Sequence, residues 1–462
     1  MRKKLFALCG VYIAAILMLT SCQNAKSAYT VLEDISIKSN GHTTQLHDYD
    51  SPYTICYENQ DGTYSMYIFS APIQYKTDSG YAVIDNAIVK SKKDGYIFEN
   101  KANDIKTYFR KSPQGFFRIE REDGYIEFMP EDCKGFSEAK HITYTNMYGT
   151  KVDAVRYERK DIDLVFYPVR SGIKMEVVLK EKPKSGPFTY FVQTQGSSAV
   201  NDQNGYVLFK NGNSNAALVY QPLVSYQMKE GGNQLDISST MEVGGGSGVY
   251  TVKIHLNQDI LDDENLQYPV KFDPSFELYL NKMPDSGVYS EMPSMNAYLS
   301  ALDIVGTHDL LGYCRQFKRF RFNYVLNCSP DTILSSTYIL QDLTGFSATT
   351  TLSLKELNQQ WSSTRLSWSQ MSCDGNELMN IDFQSGKLFI DLTSFTKDCF
   401  ADRSGTKESQ GLLFYGKEEK GTVDYRAFGS SDNSEYPPYL VLQLSELPRK
   451  FYVRDNINPP MN

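Results

Sequence analysis

The stretch "IDLVFYPVRSGIKMEVVLK", residues 162 to 180, decides the fold class. Its two ends, "IDLVFYPV" at 162–169 and "KMEVVLK" at 174–180, are dense in Val, Ile, Leu, Phe and Tyr, and a short segment with Ser171 and Gly172 divides them. Branched and aromatic side chains suit a pleated, half-buried surface, and glycine punctuates turns. Each run has the length of a strand and falls short of a helix. The pair therefore predicts two strands joined by a turn.

Working outward, the same pattern recurs in "GTYSMYIFS" at 62–70, "DGYIEFMP" at 123–130, "NGYVLFKNGN" at 204–213, "GVYTVKIHL" at 248–256, "GKLFIDLTSF" at 386–395 and "PYLVLQL" at 438–444. Short strands between regular turn signals predict sandwiches or barrels, not a parallel sheet. With 33 Tyr and 25 Phe among 462 residues and hardly any run of 3.6-residue periodicity, the composition predicts an all-β protein.

The chain opens with Arg2, Lys3 and Lys4, followed by an apolar run from Leu5 to Leu19. That is the charged start and apolar core of a secretory signal, and it is too short to span a bilayer comfortably. It ends in Leu19, Thr20, Ser21 and Cys22, which resembles the lipobox of bacterial lipoproteins. The resemblance implies that Cys22 carries a diacylglyceryl group and becomes the N-terminus, so that membrane lipid holds the protein on the outer face of the cell membrane. The formal net charge is −8, and losing the three basic residues of 1–21 makes the remainder more acidic. A nucleic-acid partner is excluded, since phosphate backbones call for a basic face.

Boundaries follow from composition. Residues 1–21 read as the signal and 22–50 as a polar tether. A first β-rich block spans 51–275, with a break near 133–141 that would split it into two lobes. A second block spans 276–445, and 446–462 form a tail. Beyond Cys9 and Cys22 there remain Cys56, Cys133, Cys314, Cys328, Cys373 and Cys399, at wide and irregular spacings. These fit disulfides or buried thiols equally, and they do not fit a zinc site.

The second block carries "RFRFNY" at 319–324, "TILSSTYILQ" at 332–341, "QQWSSTRLSWSQM" at 359–371, "LFIDLTSF" at 388–395 and "FGSSDNSEYPPYLVLQL" at 428–444. In that order they resemble the DNRLRE-type domain, a jelly-roll β-sandwich classed with carbohydrate-binding modules, with Asn323 where that family usually has Asp. The first block, through "DGTYSMYIFSAPIQYKTDSGYAVIDNAIV" at 61–89, "DGYIFENKANDIKTYF" at 94–109, "YERKDIDLVFYPVRSGIKMEVVLK" at 157–180 and "YPVKFDPS" at 268–275, is similar to the N-terminal region of wall-associated, Rhs-type bacterial surface proteins. The resemblances imply a surface lipoprotein whose C-terminal sandwich binds a cell-wall or environmental polysaccharide.

Sugar binding needs aromatic faces and planar polar groups. In "CRQFKRFRFNY" the alternation places Phe320, Phe322 and Tyr324 on one face and Arg319, Arg321 and Asn323 on the other, with Arg315 further back. A row of guanidiniums could grip the carboxylates of an acidic polysaccharide or simply face solvent. Trp361 and Trp368 would stack on a sugar or fill the core; a single strand through both would set them on opposite faces. Tyr425 and Arg426 form a further candidate pair. The site expected from sequence is thus Arg315, Arg319, Arg321, Trp368, Tyr425 and Arg426.

Catalytic patterns are missing. His42, His47, His141, His255 and His308 are scattered, there is no G-x-S-x-G elbow or P-loop, and "EVGGGSGVY" lacks strand-to-helix flanks. Asp161 and Asp163 could form a carboxylate pair, although a structural turn accounts for them as well. No enzyme and no cofactor are expected, apart from a structural calcium ion for which "SSDNSE" at 430–435 has suitable oxygens. Two other readings stand beside glycan binding: an envelope lipoprotein that recognises a protein partner, and a polysaccharide-degrading enzyme.

Overall fold

The computed structural model describes residues 32, 35–36 and 41–448 apart from short internal segments, of which 202–206, 212–216, 228–233 and 321–327 are the longest. The signal, Cys22 and most of the tail lie outside the described residues. The chain is all-β, built from antiparallel sheets. Among the described residues no helix is long and apolar enough to cross a membrane.

The opening stretch forms the expected hairpin, Ile162–Val169 paired with Gly172–Leu179. Every residue of the second strand and all but Val169 of the first are buried. One face of the hairpin sends Phe166, Met175 and Val177 into the core, and the other covers Asp163, Lys174 and Glu176 as well, so both faces are buried. The hairpin lies in an eleven-stranded sheet that packs face to face on an eight-stranded one running from Ser239–Gly246 to Asp85–Lys90. A single core that includes Phe117, Phe128, Phe166, Val192 and Phe272 fills the space between them. The break expected near 133–141 is the crossover from Gly124–Pro130 in one sheet to Lys140–Thr145 in the other. It joins two layers of one sandwich and does not separate lobes.

A second sandwich holds the C-terminal block. One of its sheets has the order His42–Gln45, Thr54–Asn59, Tyr64–Phe69, Tyr439–Leu444, Ile333–Gln341, Lys387–Asp391. The other runs Gly375–Phe383, Thr350–Leu357, Leu412–Gly416, Gly312–Lys318, Leu302–His308, Asp424–Gly429, with Asp285–Tyr289 also paired to Gly312–Lys318. Between them lie Met66, Ile68, Tyr338, Leu340, Leu354, Phe414 and Leu442.

The six-stranded sheet corrects two expected boundaries. Residues 42–45, assigned to the tether, are a strand, and 54–69, assigned to the first block, are two more, joined to the C-terminal sheet through Tyr64–Phe69 against Tyr439–Leu444. The physical reason is that Cys56, Met66 and Ile68 alternate towards the second core, and only this sheet offers them burial.

Candidate functional site

The residues expected to hold a sugar lie on or beside the seven-stranded sheet, and most are occupied within the protein. Along Gly312–Lys318 the alternation sends Arg315 and Phe317 outward, and Gln316 and Lys318 inward towards the second core. Arg315 donates from Nε and Nη2 to the Glu418 carboxylate at 2.6 and 2.8 Å, donates from Nη1 to Cys373 Sγ at 2.9 Å, and lies 4.6 Å over the Trp368 ring. Arg319 lies 4.9 Å over Trp361. Arg321 is outside the described residues.

Both tryptophans sit in the irregular stretch after Leu357, where Leu366 N–H bonds to Ser362 C=O and turns the chain. The strand needed to place them on opposite faces does not form. Both instead pack on one apolar cluster with Val288, Phe317, Leu357 and Leu413, and Trp361 Nε1–H donates to Gln410 C=O at 2.8 Å. The segment thus plugs the outer face of this sheet.

Arg426 corrects its expectation outright. It is 1 % exposed, and its guanidinium donates to the carbonyls of Tyr425, Ala348 and Gln384. A group buried to that extent fastens loops and cannot reach a polymer. Tyr425 is half-buried against His308, ring centroids 4.4 Å apart, and burial raises its hydroxyl pKa. Asp161 and Asp163 are likewise engaged separately, the first by Arg159 and the second by Lys180. The six cysteines of the described residues are free thiols.

The opposite face of this sandwich is different. An open groove of about 690 Å³ crosses the outer surface of the six-stranded sheet. Strand register sorts its lining into three rows. Tyr439, Ile339 and Phe389 are cross-strand neighbours and form an apolar row; Tyr67, Val441 and Thr337 form a mixed one; Ser65 and Gln443 begin a polar one. Phe389 is 59 % exposed, an unusual state for a phenylalanine.

The polar row is a closed hydrogen-bond network. His42 Nδ1 lies 2.7 Å from Asn59 Oδ1 and Nε2 lies 2.9 Å from Tyr67 Oη. An amide oxygen can only accept, so the ring donates through Nδ1–H and accepts the Tyr67 hydroxyl proton at Nε2. Burial, with Tyr439 and Tyr57 beside it, raises the Tyr67 pKa and keeps that proton in place. Asn59 donates to Thr63 and Gln443, and Ser65 bonds to both Asn59 and Gln443. Tyr57 stacks under the His42 ring at 4.6 Å, interplanar 3°. The result is a pre-ordered surface of amide and hydroxyl groups beside an aromatic strip. Its charged side chains, Asp61 and Lys387, are opposite in sign.

Sequence reasoning missed this groove because its parts lie far apart in the chain and three of its strands fell in blocks assigned elsewhere. The available signal was "GKLFIDL", where Phe389 alternates with core-facing Leu388 and Ile390. Also missed was a buried ionic cluster. Lys318, 4 % exposed, meets the carboxylates of Asp285, at 2.8 Å, and Asp303, both 3 % exposed. Ser431 donates its N–H and Oγ–H to Asp285 at 2.8 and 2.7 Å. The loop considered for calcium therefore directs Ser431 at a carboxylate that already holds an ammonium group; Ser434 and Glu435 are outside the described residues.

No family model matches the chain, and no curated protein matches it. Solved structures that it is similar to include BuGH86 in complex with neoagarooctaose, at 9% identity and a TM-score of 0.11 over 63% of this chain and 36% of that one. Another is a Paenibacillus xanthan lyase, at 8% identity and a TM-score of 0.11 over 90% of this chain and 40% of that one. The chain spans well under half the length of these structures.

Proposed function

We propose that this protein is a non-catalytic, lipid-anchored surface protein of DNRLRE type that holds a polysaccharide chain in the groove of its C-terminal sandwich, with Cys22 as the attachment to the membrane. The observation that carries the reading is the groove's three-row surface. Phe389 offers an exposed ring face for the C–H side of a sugar, and the half-buried amides of Asn59 and Gln443 along the same groove offer planar partners for sugar hydroxyls, with buried Ser65 holding them in place. A shape open along the sheet suits a polymer that enters and leaves at both ends. Because Lys387 and Asp61 offset each other and the arginines of the other face are occupied, an uncharged polysaccharide fits better than an acidic one. Among the described residues the lining holds one carboxylate, Asp61, whereas glycoside hydrolysis by the common routes takes two.

The test is a pull-down of the full chain with insoluble neutral and acidic polysaccharides, comparing wild type with Phe389→Ala and Gln443→Ala. Retention on a neutral polymer that both variants weaken supports the reading, and retention that neither variant changes rejects the groove. A second reading rests on the position of Phe389 on Lys387–Asp391, the terminal strand of its sheet. An exposed edge with an apolar side chain can add a strand from a protein partner. Binding that is lost with Phe389→Ala yet unaffected by any polysaccharide competitor would favour that reading. For the anchor, Cys22→Ser should release the protein from the membrane fraction, and continued lipid labelling of that variant would end the assignment.

A further inference from the structure

The Lys318 cluster places a nucleophile, an electrophile and a proton carrier together away from water. Lys318 lies on Gly312–Lys318, Asp285 directly opposite it on the paired strand Asp285–Tyr289, and Asp303 on Leu302–His308. Both carboxylates touch the same Nζ. The two differ in their other partners. Asp285 also accepts two hydrogen bonds from Ser431, whereas among the described residues no Ser431 contact reaches Asp303. Burial raises Asp303 to about 7, against the pull of Lys318 and with Asp285 and Asp432 adding to the rise. Tyr338, itself packed edge-on against Phe320 at 5.2 Å, closes the surroundings with an aromatic wall.

We propose that Lys318 and Asp303 are the reacting partners of an intramolecular amide cross-link, formed by the folded protein on itself with Asp285 as the proton carrier. Proton transfer within the ion pair gives a neutral amine and a neutral carboxylic acid. The Nζ lone pair adds to Cγ of Asp303, forming the C–N bond, and Asp285 accepts the proton that nitrogen loses. Asp285 then returns it to the departing hydroxyl, the C–O bond breaks, and one water leaves. The ammonium and carboxylate together become one amide and one water, no oxidant or cofactor is consumed, and Asp285 ends as it began. Folding supplies the proximity that lets an unactivated acid react with an amine. Another buried lysine–carboxylate contact, Lys271 with Glu176 in the first sandwich, has two tyrosine hydroxyls on the carboxylate, from Tyr144 and Tyr167. It serves as the internal control.

The test is mass spectrometry of the purified full chain under denaturing conditions, then digestion. Wild type should be lighter than its sequence by one water, and the digest should contain a branched peptide joining the segments around Asp303 and Lys318. Lys318→Arg, which keeps the charge and cannot form this amide, should regain the full mass. Asp285→Asn should keep most of the protein unlinked. Full mass in wild type overturns the proposal. So does a water loss that persists in Lys318→Arg or that maps to another pair, Lys271–Glu176 included. Complete cross-linking in Asp285→Asn removes the proton-carrier assignment. Should either variant fail to fold, the wild-type mass and branched peptide decide alone.

Discussion

The two outer faces of the C-terminal sandwich use similar materials to opposite ends. On the seven-stranded sheet, two tryptophans and two arginines are stacked on each other and on the strands, and Glu418 and Gln410 take up their polar groups. On the six-stranded sheet, His42, Tyr67 and Tyr439 are buried and held by one another and by Ile35, while Phe389 stays exposed and the amides of Asn59 and Gln443 are half-buried along the groove. Residue types that suggest sugar binding therefore do not locate it. What separates the two faces is exposure: Phe389 stands clear of its sheet, while the tryptophans of the other face are partly covered by their own arginines.

The largest effect that would test this contrast is at Arg426. Arg426→Ala should lower stability by on the order of 3 kcal/mol, because a large buried side chain that ties three carbonyls together is removed and leaves a cavity, and should leave polysaccharide retention unchanged below the melting temperature. Thermal unfolding beside a pull-down reads both. Loss of retention without loss of stability would return Arg426 to a binding role. Next come the tryptophans: Trp361→Ala and Trp368→Ala should each cost about 2 kcal/mol, less than a fully buried tryptophan because each is only partly covered, again with binding intact. On the groove face the pattern should invert. Phe389→Ala should weaken retention about tenfold, the equivalent of about 1.4 kcal/mol of stacking, while shifting stability by under about 0.5 kcal/mol. The smallest expected change is at Arg315. Its half-buried pair with Glu418 is worth about 1 kcal/mol, and Arg315→Ala should reduce binding to acidic polysaccharides no more than to neutral ones. A selective loss on acidic polymers would restore the basic-row idea.

How much of this was legible depends on range. Ile162–Val169 and Gly172–Leu179 declare themselves locally, since all the evidence for them lies within nineteen residues. The alternation in "CRQFKRFRF" likewise put Arg315 and Arg319 on one face and Phe320 on the other, as found. What failed was everything set by distant partners. Whether Arg315 is available depends on Glu418, and Arg426 looks like a surface residue until the carbonyls of Ala348 and Gln384 surround it. Lys318 read as one more basic residue in a basic stretch; its inward phase was readable, but its two aspartates were not. The strand at 64–69 gave a clear β signal while 42–45 read as tether, and no local pattern says which of two sandwiches takes either.

That last feature bears on how the molecule is made. Ser65 and Gln443, hydrogen-bonded neighbours in the groove, are 378 positions apart, and the entire first sandwich is strung between them. A polypeptide emerging from its N-terminus must leave one edge of Tyr64–Phe69 unpaired while the strands from Asp85 to Leu278 collapse into their own core, and Tyr439–Leu444 arrives only after them to cover that edge. Non-local pairing of this kind is slow. A product truncated before 439 would lack the strand that joins Tyr64–Phe69 to Ile333–Gln341, and with it the floor of the groove.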